Sequence, residues 1–184
     1  MTTYDVAVAG LGGFGSATAY HLASRGLRVL GLDRYPPAHD LGASHGESRI
    51  MRQAYFEGTA YVPLLRRTAQ LWERLGADIG SPVLRRTGGL FLGREGTRVF
   101  DGSLASARDW DIEHEVLGAA EVAARFPALR PAAGTAALFE PTAREIFSAD
   151  VAEAFIERAR RIADGFEMGM ATTRGEIARP RHSV

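Results

Sequence analysis

The chain has 184 residues, of which 46% are hydrophobic and 24% charged, so it can form one good core, or one domain and part of another. Its 22 basic residues, all arginine, balance 22 acidic residues, so overall charge favours neither nucleic acid nor an anionic membrane as a partner. Cysteine and lysine are absent, which excludes disulfides, thiolate chemistry and lysine Schiff bases within these residues.

The first 33 residues have the pattern of a dinucleotide-binding unit. The apolar run Val6 to Ala9 predicts a buried parallel strand. The next six residues, Gly10-Leu11-Gly12-Gly13-Phe14-Gly15, match G-x-G-x-x-G. A helix with an apolar side, stopped by Gly26, then leads to a second apolar run, Leu27 to Leu32, which ends at Asp33. This order predicts strand, helix and adjacent parallel strand, with the glycine loop at the end of the first strand.

Each glycine of the loop has a physical task. The first makes a tight turn, the second lets the backbone approach a pyrophosphate, and the third lets the helix pack on the strand. The helix N-terminus presents N–H groups and a partial positive charge to the phosphates. An acid at Asp33 accepts hydrogen bonds from a ribose diol, whereas it would repel the 2′-phosphate of NADP. The adjacent Arg34 keeps NADP open, and the motif does not separate NAD from FAD.

The candidate cofactor-binding residues in this unit form the loop and the end of the second strand. They are Gly10, Gly12, Gly13, Phe14, Gly15, Asp33 and Arg34.

A loop punctuated by Pro36 and Pro37 precedes the segment Ser44 to Tyr55, whose sequence is SHGESRIMRQAY. Arg49 and Arg52, three positions apart, would share a helical face, where like charges repel unless an anion lies between them. One interpretation is a solvated basic turn. The other is that both arginines face a cofactor and a carboxylate, because a planar guanidinium offers a carboxylate two parallel donors.

The rest of the chain predicts short strands separated by helices, which favours a second sheet of mixed or antiparallel type. An amphipathic helix is expected over 61–75, ended by Gly76 and Gly80. Asp150 is expected to cap a last helix over 151–162. The other predicted strands cover 83–84, 87–93, 113–117 and 136–140, and the other helices 100–110 and 119–126.

The last stretch, 164–184, shows no helix or strand period and is predicted to be a poorly ordered tail. No apolar run reaches 18 residues, and no basic segment precedes the first apolar one. We therefore expect neither a transmembrane helix nor a signal peptide, and a cytoplasmic protein.

From about Tyr4 to Arg161 the chain resembles the N-terminal part of the monomeric sarcosine oxidase and N-methyltryptophan oxidase family. These proteins are flavin-dependent amine oxidases of the D-amino-acid-oxidase-like superfamily. The resemblance is carried by YDVAVAGLGGFGSATAYHLA, SHGESRIMRQAYFEGTAYVPL, LWERL, TGGLFLG and ALFEPTAREIFSAD. The second segment is the specific one, because a generic nucleotide-binding protein has no reason to contain it.

The resemblance implies an α/β protein with a Rossmann-like FAD-binding domain of the glutathione-reductase type. Its parallel sheet is expected to be incomplete, beside part of a mixed or antiparallel substrate-domain sheet. The expected divisions are an FAD-binding domain over 1–82, a partial substrate domain over 83–141, a helix returning to the FAD-binding domain over 142–163, and the tail over 164–184.

The resemblance also implies roles for individual residues. Gly10, Gly12, Gly13, Gly15 and Asp33 would hold the ADP half of FAD. Ser44, His45, Ser48 and Arg49 would line the flavin, Arg52 would reach the substrate carboxylate, and Tyr55 would lie near it. His45, Arg49, Arg52 and Tyr55 are thus the candidate catalytic residues, and no metal site is expected.

The implied reaction is hydride transfer from an N-methyl amino acid to flavin N5. Oxygen then reoxidises the flavin and gives hydrogen peroxide, while the imine hydrolyses. The expected partners are a small amine substrate and oxygen, with neither nucleic acid nor membrane.

Members of this family have longer chains, and their later strands, flavin-linking cysteine and lysines near the ring are missing here. We therefore expect a truncated N-terminal portion, for which a separately encoded C-terminal half is one partner. The alternatives are an inactive FAD-binding fragment and an NAD-dependent dehydrogenase, which the segment SHGESRIMR disfavours.

Overall fold

The computed structural model describes residues 3–36, 39, 41–44, 46–162, 166–171 and 177–178. These residues form a mixed α/β fold that divides into two units. The first comprises residues 1–48, 78–83 and 147–184, and the second comprises residues 49–77 and 84–146. None of the helices in the described ranges is long and apolar enough to cross a membrane.

The described residues form short strands, singly or two in succession, separated by helices. The strands are β1 (Val6–Ala9), β2 (Val29–Asp33), β3 (Ser48–Met51), β4 (Leu84–Arg86), β5 (Gly89–Gly93), β6 (Glu115–Gly118), β7 (Ala136–Glu140), β8 (Arg144–Phe147), β9 (Phe166–Ala171) and β10 (Ile177–Ala178). The helices are α1 (Gly13–Ala23), a single 3-10 turn (Thr59–Tyr61), α2 (Val62–Ile79), α3 (Arg98–Asp109), α4 (Ala119–Arg125) and α5 (Ser148–Ile162).

The first unit contains a four-stranded sheet in the order β1-β2-β9-β10. β1 is parallel to β2, β2 is parallel to β9, and β10 is antiparallel to β9. Helices α1 and α5 share one apolar core with this sheet, and its buried members are Leu11, Ala19, Ala23, Val29, Ile156 and Ala159. The predicted unit of strand, helix and adjacent parallel strand is confirmed.

The prediction that β1 is buried is wrong. Among the described strands β1 pairs with β2 alone, so it lies at an edge of the sheet. Its residues alternate between partly buried and exposed, with Ala7 and Ala9 exposed. An apolar run indicates a strand, but whether that strand is central or at an edge depends on neighbours that the run itself does not specify.

The prediction of an unpatterned tail is wrong at residues 166–171 and 177–178, which form β9 and β10. Phe166, Met168 and Met170 alternate with Glu167, Gly169 and Ala171, which is the period of a strand. β9 pairs along the whole length of β2. Its place therefore depends on long-range pairing with β2 rather than on a strong local signal. The other residues beyond 162 lie outside the described part of the chain.

The starts of β1 and β2 are joined by one acid and one base. The Arg28 N–H donates to Asp5 Oδ2 at 2.8 Å, and Arg28 Nη2 donates to Asp5 Oδ1 at 2.9 Å. The side-chain hydrogen bond from Arg28, followed by the backbone one, lowers the pKa of the exposed Asp5 carboxyl below 3.8. The ion pair of Asp5 and Arg28 therefore stabilises the fold at pH values above the ordinary pKa of the carboxyl. This stabilisation is lost as the pH falls through the lowered pKa of Asp5.

The second unit contains two three-stranded sheets, in the orders β3-β8-β4 and β5-β7-β6. β4 is antiparallel to β8, and β7 is antiparallel to both β5 and β6. The β5-β7-β6 sheet shares an apolar core with α3 and the start of α2, centred on Leu138, Phe100 and Val62. The predicted second sheet of mixed or antiparallel type is confirmed.

Three local predictions for these elements are wrong. Gly76 does not end α2 but lies buried inside it; the helix ends at Ile79, before Gly80 with φ +72°. Asp150 lies within α5 rather than at its N-cap. Arg49 and Arg52 do not share a helical face, because residues 48–51 form the extended strand β3.

Candidate functional site

The glycine loop of the first unit is a tight turn between β1 and α1. Gly10 has φ +89°, a left-handed conformation that glycine adopts without strain. Its N–H donates to Leu32 O at 2.7 Å, which ties the loop to the end of β2. A Cβ added at Gly15 would lie 1.7 Å from Gly10 O. Helix α1 therefore approaches the strand end so closely that no side chain fits at Gly15.

The outer side of the loop is open. Among the described residues, a Cβ at Gly12 would meet only Ser44 Oγ, at 3.6 Å, and a Cβ at Gly10 would meet no atom within 4 Å. The Ser16 N–H makes the first helical hydrogen bond, to Gly12 O, so the N–H groups before it precede the helical ladder. One of them, on Gly13, donates to Ser44 Oγ at 3.0 Å. Backbone N–H groups at a helix N-terminus, next to glycines that have no side chain, are the arrangement that fits a pyrophosphate.

Asp33 lies against this loop. Its side chain is 13% exposed, its Oδ2 accepts the Leu11 N–H at 2.5 Å, and its Oδ1 accepts the Tyr35 N–H at 3.1 Å. His39 Nε2 is 3.7 Å from Oδ1, a neighbour that the sequence did not predict. A carboxylate has about four acceptor positions, so these two donors leave capacity for ribose hydroxyl groups. The loop, Asp33 and Ser44 thus form one hydrogen-bonded group.

The other predicted cofactor residues are more exposed. Phe14, in the first turn of α1, is 96% exposed. The exposed Arg34 has its guanidinium carbon 5.6 Å from the Tyr35 ring centroid. Ser48 and Arg49 begin β3 with exposed side chains. His45 lies outside the described residues, so its predicted role is not tested.

In the second unit, Arg52 follows β3 and is surrounded by aromatic rings. Its guanidinium carbon lies 4.8 Å from the Tyr55 ring centroid, 5.0 Å from that of Phe56 and 5.6 Å from that of Phe91. Arginine planes are attracted to aromatic faces at these distances. Of the predicted catalytic residues, Arg52 and Tyr55 are therefore in direct contact.

The Arg52 guanidinium already binds a carboxylate of the protein. Its Nη2 lies 2.7 Å from Glu57 Oε1 and 3.0 Å from Glu57 Oε2. Its Nε is buried and has no hydrogen-bond partner within the described ranges. The contact of Glu57 with Arg52 was not predicted, because a single acid in a turn carries no sequence signal.

A buried acid holds the turn that carries Arg52. Glu140, at the end of β7, is 0% exposed. Its carboxylate accepts the Gln53 N–H at 3.0 Å, the Ala54 N–H at 2.9 Å and the Thr142 hydroxyl at 2.9 Å. These bonds satisfy two backbone donors immediately after Arg52. Glu140 was not predicted either, because it is 87 positions from Gln53.

Farther along the same turn, Ser106 Oγ donates to Tyr55 O at 2.6 Å. Both ends of the segment 52–55 are thus fixed by side chains from other elements. Within the described ranges, no group of three or more His, Cys, Asp or Glu residues could hold a metal ion. The chemistry that these groups support is recognition of a dinucleotide by the first unit and of a carboxylate by Arg52.

Comparison with known proteins gives matches along most of the chain. Residues 5–164 match the DAO family model, described as FAD dependent oxidoreductase. The chain is 47% identical over 159 residues to monomeric sarcosine oxidase of Streptomyces avermitilis. The aligned region covers 86% of this chain and 41% of that protein. It is 37% identical over 138 residues to N-methyl-L-tryptophan oxidase of Yersinia pestis, covering 75% of this chain and 37% of that protein.

A solved structure has a similar fold. NikD, an unusual amino acid oxidase essential for nikkomycin biosynthesis, matches 92% of this chain with a TM-score of 0.80 and 26% sequence identity. The match covers 44% of the NikD chain, so the present chain spans less than half the length of each of these relatives. The family model covers most of the chain, and the chain therefore belongs to the DAO family of FAD-dependent oxidoreductases.

Proposed function

We propose that the first unit binds FAD and that the protein oxidises a secondary amine of the N-methyl amino acid class, such as sarcosine, with oxygen. The observation that supports this most is the hydrogen-bonded group of glycine loop, Asp33 and Ser44 in a chain 47% identical to a sarcosine oxidase. The loop would hold the pyrophosphate of FAD, and Asp33 would accept hydrogen bonds from its ribose.

The first unit contributes binding and orientation. The N–H groups at the start of α1 would face the phosphates of FAD, and the absence of a side chain at Gly12 would let phosphate oxygens come close. When bound, FAD would supply a two-electron acceptor for oxidation of the amine to an imine, with oxygen as the final acceptor. His45, Ser48 and Arg49 are proposed to line the flavin.

The second unit contributes recognition of the substrate carboxylate through Arg52. The three rings around the guanidinium restrict its orientation and allow its N–H edges to be directed at a carboxylate. Its hydrogen bonds to Glu57 support this proposal, because a carboxylate of the protein already binds the same guanidinium. Tyr55 is proposed to lie beside the same substrate group.

Replacing Arg52 by lysine is expected to weaken binding of a carboxylate ligand about tenfold or more. One ammonium cannot reproduce two parallel donors, and each charge-assisted hydrogen bond contributes about 1.5–3 kcal/mol. The measurement is calorimetric titration with sarcosine. Arg85→Lys is the matched control, because Arg85 also pairs with an acid, Glu145, and should leave the affinity unchanged. Equal affinity of Arg52→Lys and the unmodified chain would assign Arg52 a structural role.

The 184-residue chain alone is expected to release no hydrogen peroxide with sarcosine. The matched region is 41% of the length of the S. avermitilis protein, and β1 is paired on one side only among the described strands. We propose that turnover requires residues equivalent to the rest of such relatives. A peroxidase-coupled assay with added FAD tests this. Steady, substrate-dependent peroxide from the chain alone would show that these residues suffice.

A further inference from the structure

We propose that Glu57 is an internal competitor for the carboxylate site of Arg52. A ligand carboxylate would then bind only after the Glu57 carboxylate leaves the guanidinium. This inference rests on the proposed role of Arg52 in carboxylate recognition. Glu57 then affects both the affinity for carboxylates and the selection among them.

The contact between the two side chains leaves one donor of the guanidinium without a hydrogen bond in the described ranges. Both Glu57 oxygens lie on one nitrogen, Nη2, at 2.7 and 3.0 Å, rather than on two nitrogens in the parallel arrangement. The Arg52 Nε, which belongs to that parallel edge, is buried without a hydrogen-bond partner in the described ranges. A buried donor without a partner is costly, so a ligand oxygen that reached it would gain a hydrogen bond that Glu57 does not supply.

The Arg52 side chain is held in place more firmly than the Glu57 side chain. Arg52 is fixed by three aromatic rings, and the backbone that follows it is fixed by Glu140. The Glu57 side chain is 33% exposed, and within the described ranges Arg52 is its one ion-pair partner. Partly exposed ion pairs of this kind contribute little stability. The Glu57 side chain can therefore move away while the Arg52 guanidinium stays in position.

Electrostatics makes the competition direct. Two carboxylates at one guanidinium repel each other, so the second anion binds weakly unless the first moves away. Ligands that can use Nε and Nη2 together gain most from displacing Glu57. A ligand without a carboxylate leaves Glu57 in place, so the cost of the displacement falls on carboxylate ligands alone.

Removing the competitor is expected to strengthen carboxylate binding. The probe is acetate, which carries no amine, titrated into the 15N-labelled chain while the arginine Nε–H signals are followed by NMR. Glu57→Gln should bind acetate about two- to fivefold tighter than the unmodified chain, as the loss of a weak competing ion pair implies. The double variant Glu57→Gln with Arg52→Lys should lose this gain.

A matched control is Glu113→Gln. Glu113 also pairs with an arginine, its Oε2 lying 3.6 Å from Arg86 Nη2, in the same unit. This variant removes the same net charge and is expected to leave acetate affinity unchanged. Thermal unfolding of Glu57→Gln close to that of the unmodified chain would establish that both proteins are folded under the titration conditions.

The outcomes separate this inference from the proposed function. If Arg52→Lys leaves acetate affinity unchanged, the carboxylate site is not at Arg52 and the proposed role fails together with this inference. If Arg52→Lys weakens binding but Glu57→Gln binds no tighter than the unmodified chain, the proposed role stands and the competition is overturned. The absence of acetate binding by Glu57→Gln would overturn it as well.

Discussion

Replacing Gly15 by alanine is expected to destabilise the first unit by about 3 kcal/mol or more, at the upper end of what overpacking costs. The added Cβ would lie 1.7 Å from Gly10 O, well inside any permitted contact. Relief requires a backbone shift, and Gly10 is held by its N–H bond to Leu32 O at 2.7 Å. The helix and the end of β1 therefore cannot both keep their places.

The measurement is the midpoint of urea unfolding followed by circular dichroism. Gly13→Ala is the matched control, because its Cβ would meet the Ser44 Oγ at 3.1 Å, a side-chain atom that can rotate away. We expect a change within about 1 kcal/mol for this control. If Gly15→Ala unfolds at the same urea concentration as Gly13→Ala, the close approach of helix and loop is not as described.

Replacing Glu140 by alanine is expected to reduce the free energy of unfolding by about 3–5 kcal/mol. The Gln53 and Ala54 N–H groups would lose their acceptor, and each buried donor left without a partner costs about 1–3 kcal/mol. The removed side chain would also leave a cavity, because Glu140 is 0% exposed. Glu140→Gln should cost less, since the amide oxygen still accepts one or both donors.

Glu113→Ala provides the control for this substitution. Its side chain is 67% exposed and its ion pair with Arg86 spans 3.6 Å, so a change below about 1 kcal/mol is expected. Chemical unfolding of the three proteins would compare them directly. A loss from Glu140→Ala no greater than that from Glu113→Ala would contradict the assignment of Glu140 as the support of the Arg52 turn.

The sequence predicted those parts of the fold whose signals are local. The glycine loop between two apolar runs predicted β1, α1 and β2, and the amphipathic period predicted α2. β7 has the predicted bounds, 136–140. β3 and β8 were not predicted, because four-residue strands with charged residues acquire their conformation from pairing, which a single sequence does not display.

In the candidate site, too, the contacts that were predicted are those with a local sequence signal. The placement of Asp33 beside the loop follows from a motif, because parallel strands end at the same edge of a sheet. The bonds of Glu140 to Gln53 and Ala54 join residues more than 80 positions apart, and no local pattern marks them. The pairing of Glu57 with Arg52 is local, but an acid near an arginine is too common to predict a contact.

The central claim, that the first unit binds FAD through its glycine loop, is tested most directly by titrating the purified chain with FAD. Saturable quenching of flavin fluorescence should be seen with the unmodified chain and be lost in Gly12→Val. Among the described residues, a Cβ there meets only Ser44 Oγ, at 3.6 Å, so we expect the fold to persist while the valine fills the space for the pyrophosphate. Circular dichroism checks that Gly12→Val is folded. Folded Gly12→Val that binds FAD as tightly as the unmodified chain would contradict the claim.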